Sequence, residues 1–297
     1  METLERILQA RPNDAVLHLR MGQVKLPRND IEGAMANFRK AAELQPKALE
    51  PKLAMAAAHV RAGRPEDARR VANALQAEAP KNPAGFLLKG DIAMSEGKFA
   101  DAAAEFRKAL ALEKAPPIQL KLHQAAAAGG NLAEADGMLG TMIRERPDDL
   151  VLRAYAGEHE IGRKRWNEAI AHYEHLLSKQ PQNVLALNNA AWAMHEAKSP
   201  KALETAEKAL AAAPDTPAVQ DTAGVILMEA GKTERGLELL RKAASGAPKA
   251  ASIRLHLAEA LVKTGDKAGA RAELDKLLLD NPQGPVAERA RELQKQL

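Results

Sequence analysis

Apolar side chains along this chain recur three and four residues apart over windows of about a dozen residues, lapse for a few polar residues, then resume. That spacing advances about 100° per residue and predicts short amphipathic α-helices rather than strands. The windows come in pairs, each closed by a proline: Pro12, Pro46, Pro80, Pro147, Pro181, Pro214, Pro248 and Pro282. The intervals are 34, 34, 67, 34, 33, 34 and 34 residues. The 67 holds two periods, its middle rung falling near Lys114 with Pro116 two residues late. A fixed period of this size denotes stacked helical units rather than one globular core.

Numbering each unit so that its closing proline is position 32, the first unit places Met21 and Gly22 at 7 and 8, Ala34 at 20, Phe38 at 24 and Ala41 at 27. The third places Phe86 at 4, Gly90 at 8, Ala102 at 20, Phe106 at 24 and Ala109 at 27, in "FLLKGDIAMSEGKFADAAAEFRKAL". The fifth places Gly157, Ala169, Tyr173 and Pro181 at 8, 20, 24 and 32. Positions 4, 7, 8 and 11 make one narrow apolar stripe on the first helix. Small residues at 8 and 20 let the two helices approach, and the larger residue at 24 fills the space beside them. Proline then stops the helix at the boundary.

On these residues the chain resembles the tetratricopeptide repeat (TPR) family over nearly its whole length. The resemblance implies an all-α, right-handed superhelix of eight helix-turn-helix units, 13–46, 47–80, 81–114, 115–147, 148–181, 182–214, 215–248 and 249–282. Residues 1–12 read as the second half of a truncated upstream repeat, with Leu4 at 24 and Leu8 at 28, so the start looks cut from a longer protein. Residues 283–297 read as a solvating end helix with Val286, Ala290, Leu293 and Leu297 on one stripe.

Position 15 calls for a turn residue tolerant of positive φ, and Gly63, Gly97, Gly130, Gly231 and Gly265 supply it, with Asn29 in the first unit. Lys164 departs from this pattern, implying local strain or a different turn. The sixth unit is one residue short at "KSPK", which predicts a tighter turn between its helices.

Composition adds limits. With 46% apolar but only 3% aromatic residues, small side chains and close helix packing are favoured over a thick core. There is no cysteine, hence no disulfide and no thiolate metal site. The 43 basic and 39 acidic residues are interspersed, and their net charge of +4 describes a mixed solvated surface rather than a polyanion-binding one. No apolar run is long enough to span a bilayer.

The stretch "LNNAAWAMHEAK" sets Asn188, Trp192 and His195 at positions 5, 9 and 12 of the sixth first helix. In a TPR-like stack, first-helix positions 2, 5, 9 and 12 line the concave surface, so this stripe points into the groove. At positions 5 and 9 the earlier units carry Leu19/Gln23, Leu53/Ala57, Leu87/Asp91 and Leu120/Gln124. The later ones carry Ala154/Glu158, Asn188/Trp192, Asp221/Val225 and Leu255/Glu259. The second set suits an extended peptide held by one aromatic anchor and a few hydrogen bonds. The expected partner-binding residues are therefore Asn188, Trp192, His195, Asp221, Glu158, Glu259, Asp91 and Gln124. Glu158, Asp221 and Glu259 imply a basic or amide-rich partner segment. Asn189 stands at position 6, but its neighbouring units lack the cations of a terminal-carboxylate clamp, so a chaperone-tail grip is not expected.

Chemistry is sparse. His172 and His175 are the one close histidine pair, at outward positions 23 and 26, where a solvated face is expected rather than a metal site. His123 at position 8 reads as a partly buried, satisfied histidine. His195 in "HEAKS" lacks the second histidine of a zinc-protease helix, and no phosphate loop or nucleophile elbow is present. Arg163, Lys164 and Arg165 form a solvated turn cluster, not the multi-repeat basic stripe that nucleic acid requires. No enzyme activity, cofactor or metal is expected, nor a nucleic-acid partner.

Below the superfamily, "NNAAWAMHEAKSPKALETAEKALAAAP", "DTAGVILMEAGKTERGLELLRKAA" and "HLAEALVKTGDKAGARAELDKLL" resemble the C-terminal repeats of bacterial TPR lipoproteins of the PEP-CTERM and exosortase system. That resemblance implies a membrane-tethered, periplasmic protein serving exopolysaccharide production and surface-protein sorting. The alternatives are a cytoplasmic assembly or co-chaperone-like adaptor and the repeat region of a longer enzyme.

Overall fold

The computed structural model describes residues 2–279 and 283–297, so Met1 and the Pro282 rung lie outside the described residues. Two compact units divide the chain, Met1–Glu145 and Arg146–Leu297. The first carries α1 (Glu2–Ala10), α2 (Ala15–Lys25), α3 (Ile31–Leu44), α4 (Leu49–Arg61), α5 (Pro65–Glu78), α6 (Ala84–Ser95), α7 (Phe99–Leu112), α8 (Pro116–Ala128) and α9 (Leu132–Glu145). The second carries α10 (Leu150–Gly162), α11 (Trp166–Lys179), α12 (Val184–Glu196), α13 (Ala202–Ala212), α14 (Pro217–Glu229), α15 (Thr233–Gly246), α16 (Ala251–Lys263), α17 (Lys267–Leu279) and α18 (Pro285–Gln296). No strand occurs among the described residues. From α2 onward the even-numbered helices through α16 open a pair and the odd-numbered ones close it. First helices begin at side-chain caps, as at Asp14, Asp149 and Asn183, or at a first-turn proline, as at Pro116 and Pro217.

Each pair is set by one close approach. A Cβ added to Gly157 would lie 2.5 Å from Tyr173 Cζ, and one on Gly224 would lie 2.7 Å from Leu240 Cγ. Gly22 and Gly90 sit closer still to the rings of Phe38 and Phe106. Positions 8 and 24 thus compensate in size: glycine faces a large side chain in repeats one, three, five and seven. In repeats two and six, Ala56 and Ala191 correspond to Ala72 and Ala206. His123 takes position 8 of repeat four and is fully buried, where the sequence pattern implied partial burial.

All the position-15 residues adopt positive φ, and the exceptions are informative. Lys164 has φ 57°, the same left-handed turn as the glycines, so strain rather than a new turn type answers its departure. The deletion in repeat six does not tighten the turn, contrary to expectation. Lys198 keeps the left-handed position at φ 57°, and Ser199 N–H donates to Met194 O at 2.8 Å, as Arg165 N–H does to Glu160 O at 2.9 Å. The connection into α13 spans five residues, 197–201, against three, 163–165, into α11, and α13 is three residues shorter, 11 against 14, which together leave the repeat one residue short. Nor is the cationic turn merely solvated: Arg165 grips the buried Glu160 carboxylate through Nε and Nη2.

Position 4, expected to be apolar, is a polar staple in four repeats. His18, Arg153, Gln220 and Arg254 lie against the carbonyl of the preceding closing proline: Pro12 at 2.8 Å, Pro147 at 3.0 Å, Pro214 at 2.7 Å and Pro248 at 2.7 Å. Three of them also meet position 23 of their own second helix, at Asn37, His172 and Glu273. His172 is consequently half-buried rather than solvated, and burial foremost, then the Arg153 charge, lowers its pKa.

Two stability predictions follow from the backbone. Gly90→Ala forces a Cβ into the Phe106 ring and is expected to destabilise by about 1–3 kcal/mol, whereas Gly137→Ala, with nothing within 4 Å, gains up to about 1 kcal/mol of helix propensity. Urea midpoints of the two variants should move in opposite directions. Lys164→Gly relieves the left-handed strain of about 1–2 kcal/mol, less the entropy of glycine, for a net gain of about 0.5–1 kcal/mol; no rise in the midpoint would refute strain at that turn.

Candidate functional site

In the second unit the first helices α10, α12, α14 and α16 pack side by side and present one face. On it Val151 and Leu185 at position 2 of α10 and α12 are 81% and 48% exposed, as Val16 is at position 2 of α2 in the first unit. Trp192, two turns beyond Leu185 on α12, is half-buried. Position 2 shares the stripe of positions 5, 9 and 12, so periodicity alone puts Val151 and Leu185 on this face.

Trp192 lies between two imidazoles. Its ring centroid is 5.6 Å from His195 and 5.7 Å from His256, with interplanar angles of 41° and 30°. His256, on α16, holds Nδ1 at 2.9 and 3.0 Å from the two Asp221 carboxylate oxygens on α14. Asp221 is only 8% exposed, so its carboxylate is a buried partner of His256 rather than the open groove acid the sequence pattern implied. His195 is likewise buried, 8% exposed, with Nε2 3.7 Å from Glu229 Oε1. The pairing of Asp221 with His256 joins residues 35 apart, position 5 of one repeat and 6 of the next, and no single-repeat pattern announces it.

Behind Trp192, Asn189 Nδ2 donates to the Tyr173 hydroxyl at 3.1 Å and Asn188 Nδ2 to Asn189 Oδ1 at 3.3 Å. This relay fixes the half-buried Asn188 amide with Oδ1 buried and without a hydrogen-bond partner. Burial pushes the Tyr173 phenol up to about 12, against the opposing Asn189 hydrogen bond and with a contribution from the Glu158 charge. Beyond His256, a cavity of about 140 Å³ has Val225, Met228, Leu240 and Ala260 among its apolar lining and Glu229, His256, Glu259 and Lys263 among its polar lining.

The remaining expected residues are dispersed. Glu158 is exposed on α10, and Glu259 on α16 bonds Arg289 at 2.9 Å, which neutralises it. Asp91 and Gln124 belong to the first unit, where both are exposed and Asp91 pairs with Lys121. The position-5 leucines Leu19, Leu53, Leu87 and Leu120 are all half-buried, packed in part against their neighbours. His175 bonds Asp148 at 3.1 Å, and no group of three or more metal-ligating side chains is found among the described residues. No helix among them is long and apolar enough to cross a membrane.

Two family profiles described as tetratricopeptide repeat match residues 26–92 and 227–297, and 87–149. The chain belongs to the TPR superfamily. Among solved TPR-fold structures, the APC/C hetero-tetramer Cut9–Hcn1 matches with a TM-score of 0.58 at 16% identity, over 99% of this chain and 57% of that one. A tetratricopeptide repeat protein from Parabacteroides merdae matches with a TM-score of 0.56 at 14% identity, over 83% of this chain and 98% of that one. Yeast Tom70 matches with a TM-score of 0.56 at 14% identity, over 99% and 58%. At these identities the likeness shows the TPR fold alone, and this chain spans little more than half the length of the Cut9–Hcn1 and Tom70 chains. No curated protein matches the sequence.

The two TPR-face histidines are expected to titrate in opposite directions from the ordinary imidazole value of 6.5. Burial, the largest influence on His195, lowers its pKa despite Glu229. Burial also opposes the His256 cation, but the Asp221 hydrogen bond and charge outweigh it and raise that pKa. His256 therefore contributes stability that is complete below 6.5 and is lost as pH rises through its folded pKa. His195 contributes stability present above 6.5 and lost as pH falls through its own. Imidazole NMR titrations should show His256 releasing its proton at the higher pH, and His256→Gln should remove the alkaline loss of stability in urea unfolding.

Proposed function

We propose that this chain is a non-enzymatic scaffold that docks a segment of a partner protein on the first-helix face of its second unit. The observation that carries the reading is the grouping of exposed Val151 and Leu185 with the half-buried Trp192 on the adjacent helices α10 and α12, open aliphatic surface beside an aromatic ring. Aromatic side chains in partly desolvated sites supply most of the binding energy in such interfaces. The carboxylates of Glu158 and Glu196 on this face favour a basic or amide-rich segment and disfavour a polyanion such as nucleic acid. The resemblance of repeats six to eight to PEP-CTERM-system lipoproteins supports a partner in envelope exopolysaccharide or protein-sorting machinery.

Affinity capture from the native cell's cytosolic and envelope fractions tests this. Trp192→Ala and Leu185→Glu, each confirmed folded by circular dichroism, are expected to lose a partner that the unmodified chain retains. Identical captured sets for all three proteins would place docking elsewhere, and a partner from the cytosol would favour an assembly adaptor over the envelope reading.

A further inference from the structure

We propose that the face around Trp192 recognises a basic side chain of the docked segment, and that this cation competes with the proton on His256. The inference rests on the first-helix face being the docking surface. Its first support is a census of charge. Glu158, Glu160, Glu196, Asp221, Glu229 and Glu259 stand on α10, α12, α14 and α16 beside three cations, Arg153, Arg254 and Lys263; Glu160 is answered by Arg165, and Arg153 and Arg254 are held at proline carbonyls. Asp221 is answered by His256 and Glu259 by Arg289 of α18. Glu229 has only longer contacts, to His195 at 3.7 Å and Lys198 at 3.5 Å. No ion pair is found for Glu158 or Glu196 among the described residues, and Glu196 lies one helical turn from Trp192. A half-buried indole with a free carboxylate one turn away attracts lysine or arginine both through the part of its π face left open and through the field of that acid.

The second support is that the ring already carries an internal substitute. His256 tilts against Trp192 at 5.7 Å, and when protonated it is itself a cation beside the indole. Nδ1–H donates to Asp221 whether the ring is charged or neutral, so the titrating proton is the one on Nε2. Losing it changes the charge at the site without requiring the ring to move. The groups acting on His256 are Asp221 from α14, Glu196 and His195 from α12, and Glu259 from its own helix, while Glu229 and Lys263 share its cavity and Arg289 stands behind Glu259. Burial opposes the His256 cation and Asp221, Glu259 and Glu196 sustain it, so release falls above the ordinary imidazole range. A second cation beside Trp192 makes the first less favourable. Affinity for a basic side chain therefore rises with pH, and by reciprocity the bound cation lowers the His256 pKa by the same factor.

The test titrates the full chain with an acetylated and amidated Ala-Arg-Ala-Arg-Ala peptide, with citrulline replacing arginine as the neutral control. The Trp192 indole N–H and His256 ring resonances are followed from pH 5.5 to 8. We expect saturable Trp192 shifts with the arginine peptide only, about fivefold tighter at pH 8 than at 5.5, with His256 titrating lower when the peptide is bound. His256→Gln should bind with the high-pH affinity at every pH, and Trp192→Ala should not bind. Trp192-dependent binding that ignores pH and leaves the His256 titration unmoved would overturn the competition while leaving the docking face intact. An equal response to the citrulline peptide, or none to either peptide, would overturn the cation site; partner capture still dependent on Trp192 and Leu185 would then show that the face docks its partner without one.

Discussion

The distance between the two helices of a repeat governs the rest of the architecture. It is fixed where position 8 meets position 24: Gly22 beneath Phe38, Gly90 beneath Phe106, Gly157 beneath Tyr173 and Gly224 beneath Leu240 leave no room for a methyl group. At position 20, alanine or glycine occurs in every repeat and is buried in all eight, so backbone meets backbone on the opposite side. Close-packed interiors tolerate little change in volume. Sequence is therefore constrained tightly inside each pair and loosely on the faces that look outward, which leaves first-helix positions 2, 5, 9 and 12 free to carry function.

What the second unit does with that freedom is electrostatic as much as apolar. Trp192 is the largest side chain on its first-helix face, and the imidazoles on either side of it respond to burial and to carboxylates in opposite senses. The acids differ in kind: Asp221 is buried to hold His256, Glu259 is spent on Arg289, and Glu158 stands in solvent. Counting carboxylates along a stripe overstated the open negative charge, because a helix wheel gives direction but not the partner waiting on the next repeat.

The same distinction separates what was legible in the sequence from what was not. Local features were legible: the proline period, the helix pairs, the left-handed turn at Gly63 or Asn29, the small residues at 8 and 20. Features that join one repeat to the next were not. The staples of His18, Arg153, Gln220 and Arg254 interrupt an expected apolar position, and their target, a proline carbonyl, leaves no trace in side-chain patterning. The deletion at "KSPK" was visible, but whether turn or helix would absorb it depends on Lys198 accepting φ 57° so that the chain reversal is preserved. His195 falls on the expected stripe, yet neighbours on other helices bury it.

The proline-carbonyl staples tie a repeat to the one before it, and that tie bears on how far unfolding spreads. A linear array behaves as repeats with intrinsic stabilities coupled through nearest-neighbour interfaces. In repeats one, five, seven and eight the position-4 side chain reaches back to the closing proline carbonyl of the repeat before it. Strong coupling lengthens the stretch that must open together; weak coupling lets a single pair fray while its neighbours hold. The staples of Gln220 and Arg254 tie repeat seven to repeat six and repeat eight to repeat seven, so these three open together rather than singly, and Trp192 stays in register with both of its imidazoles.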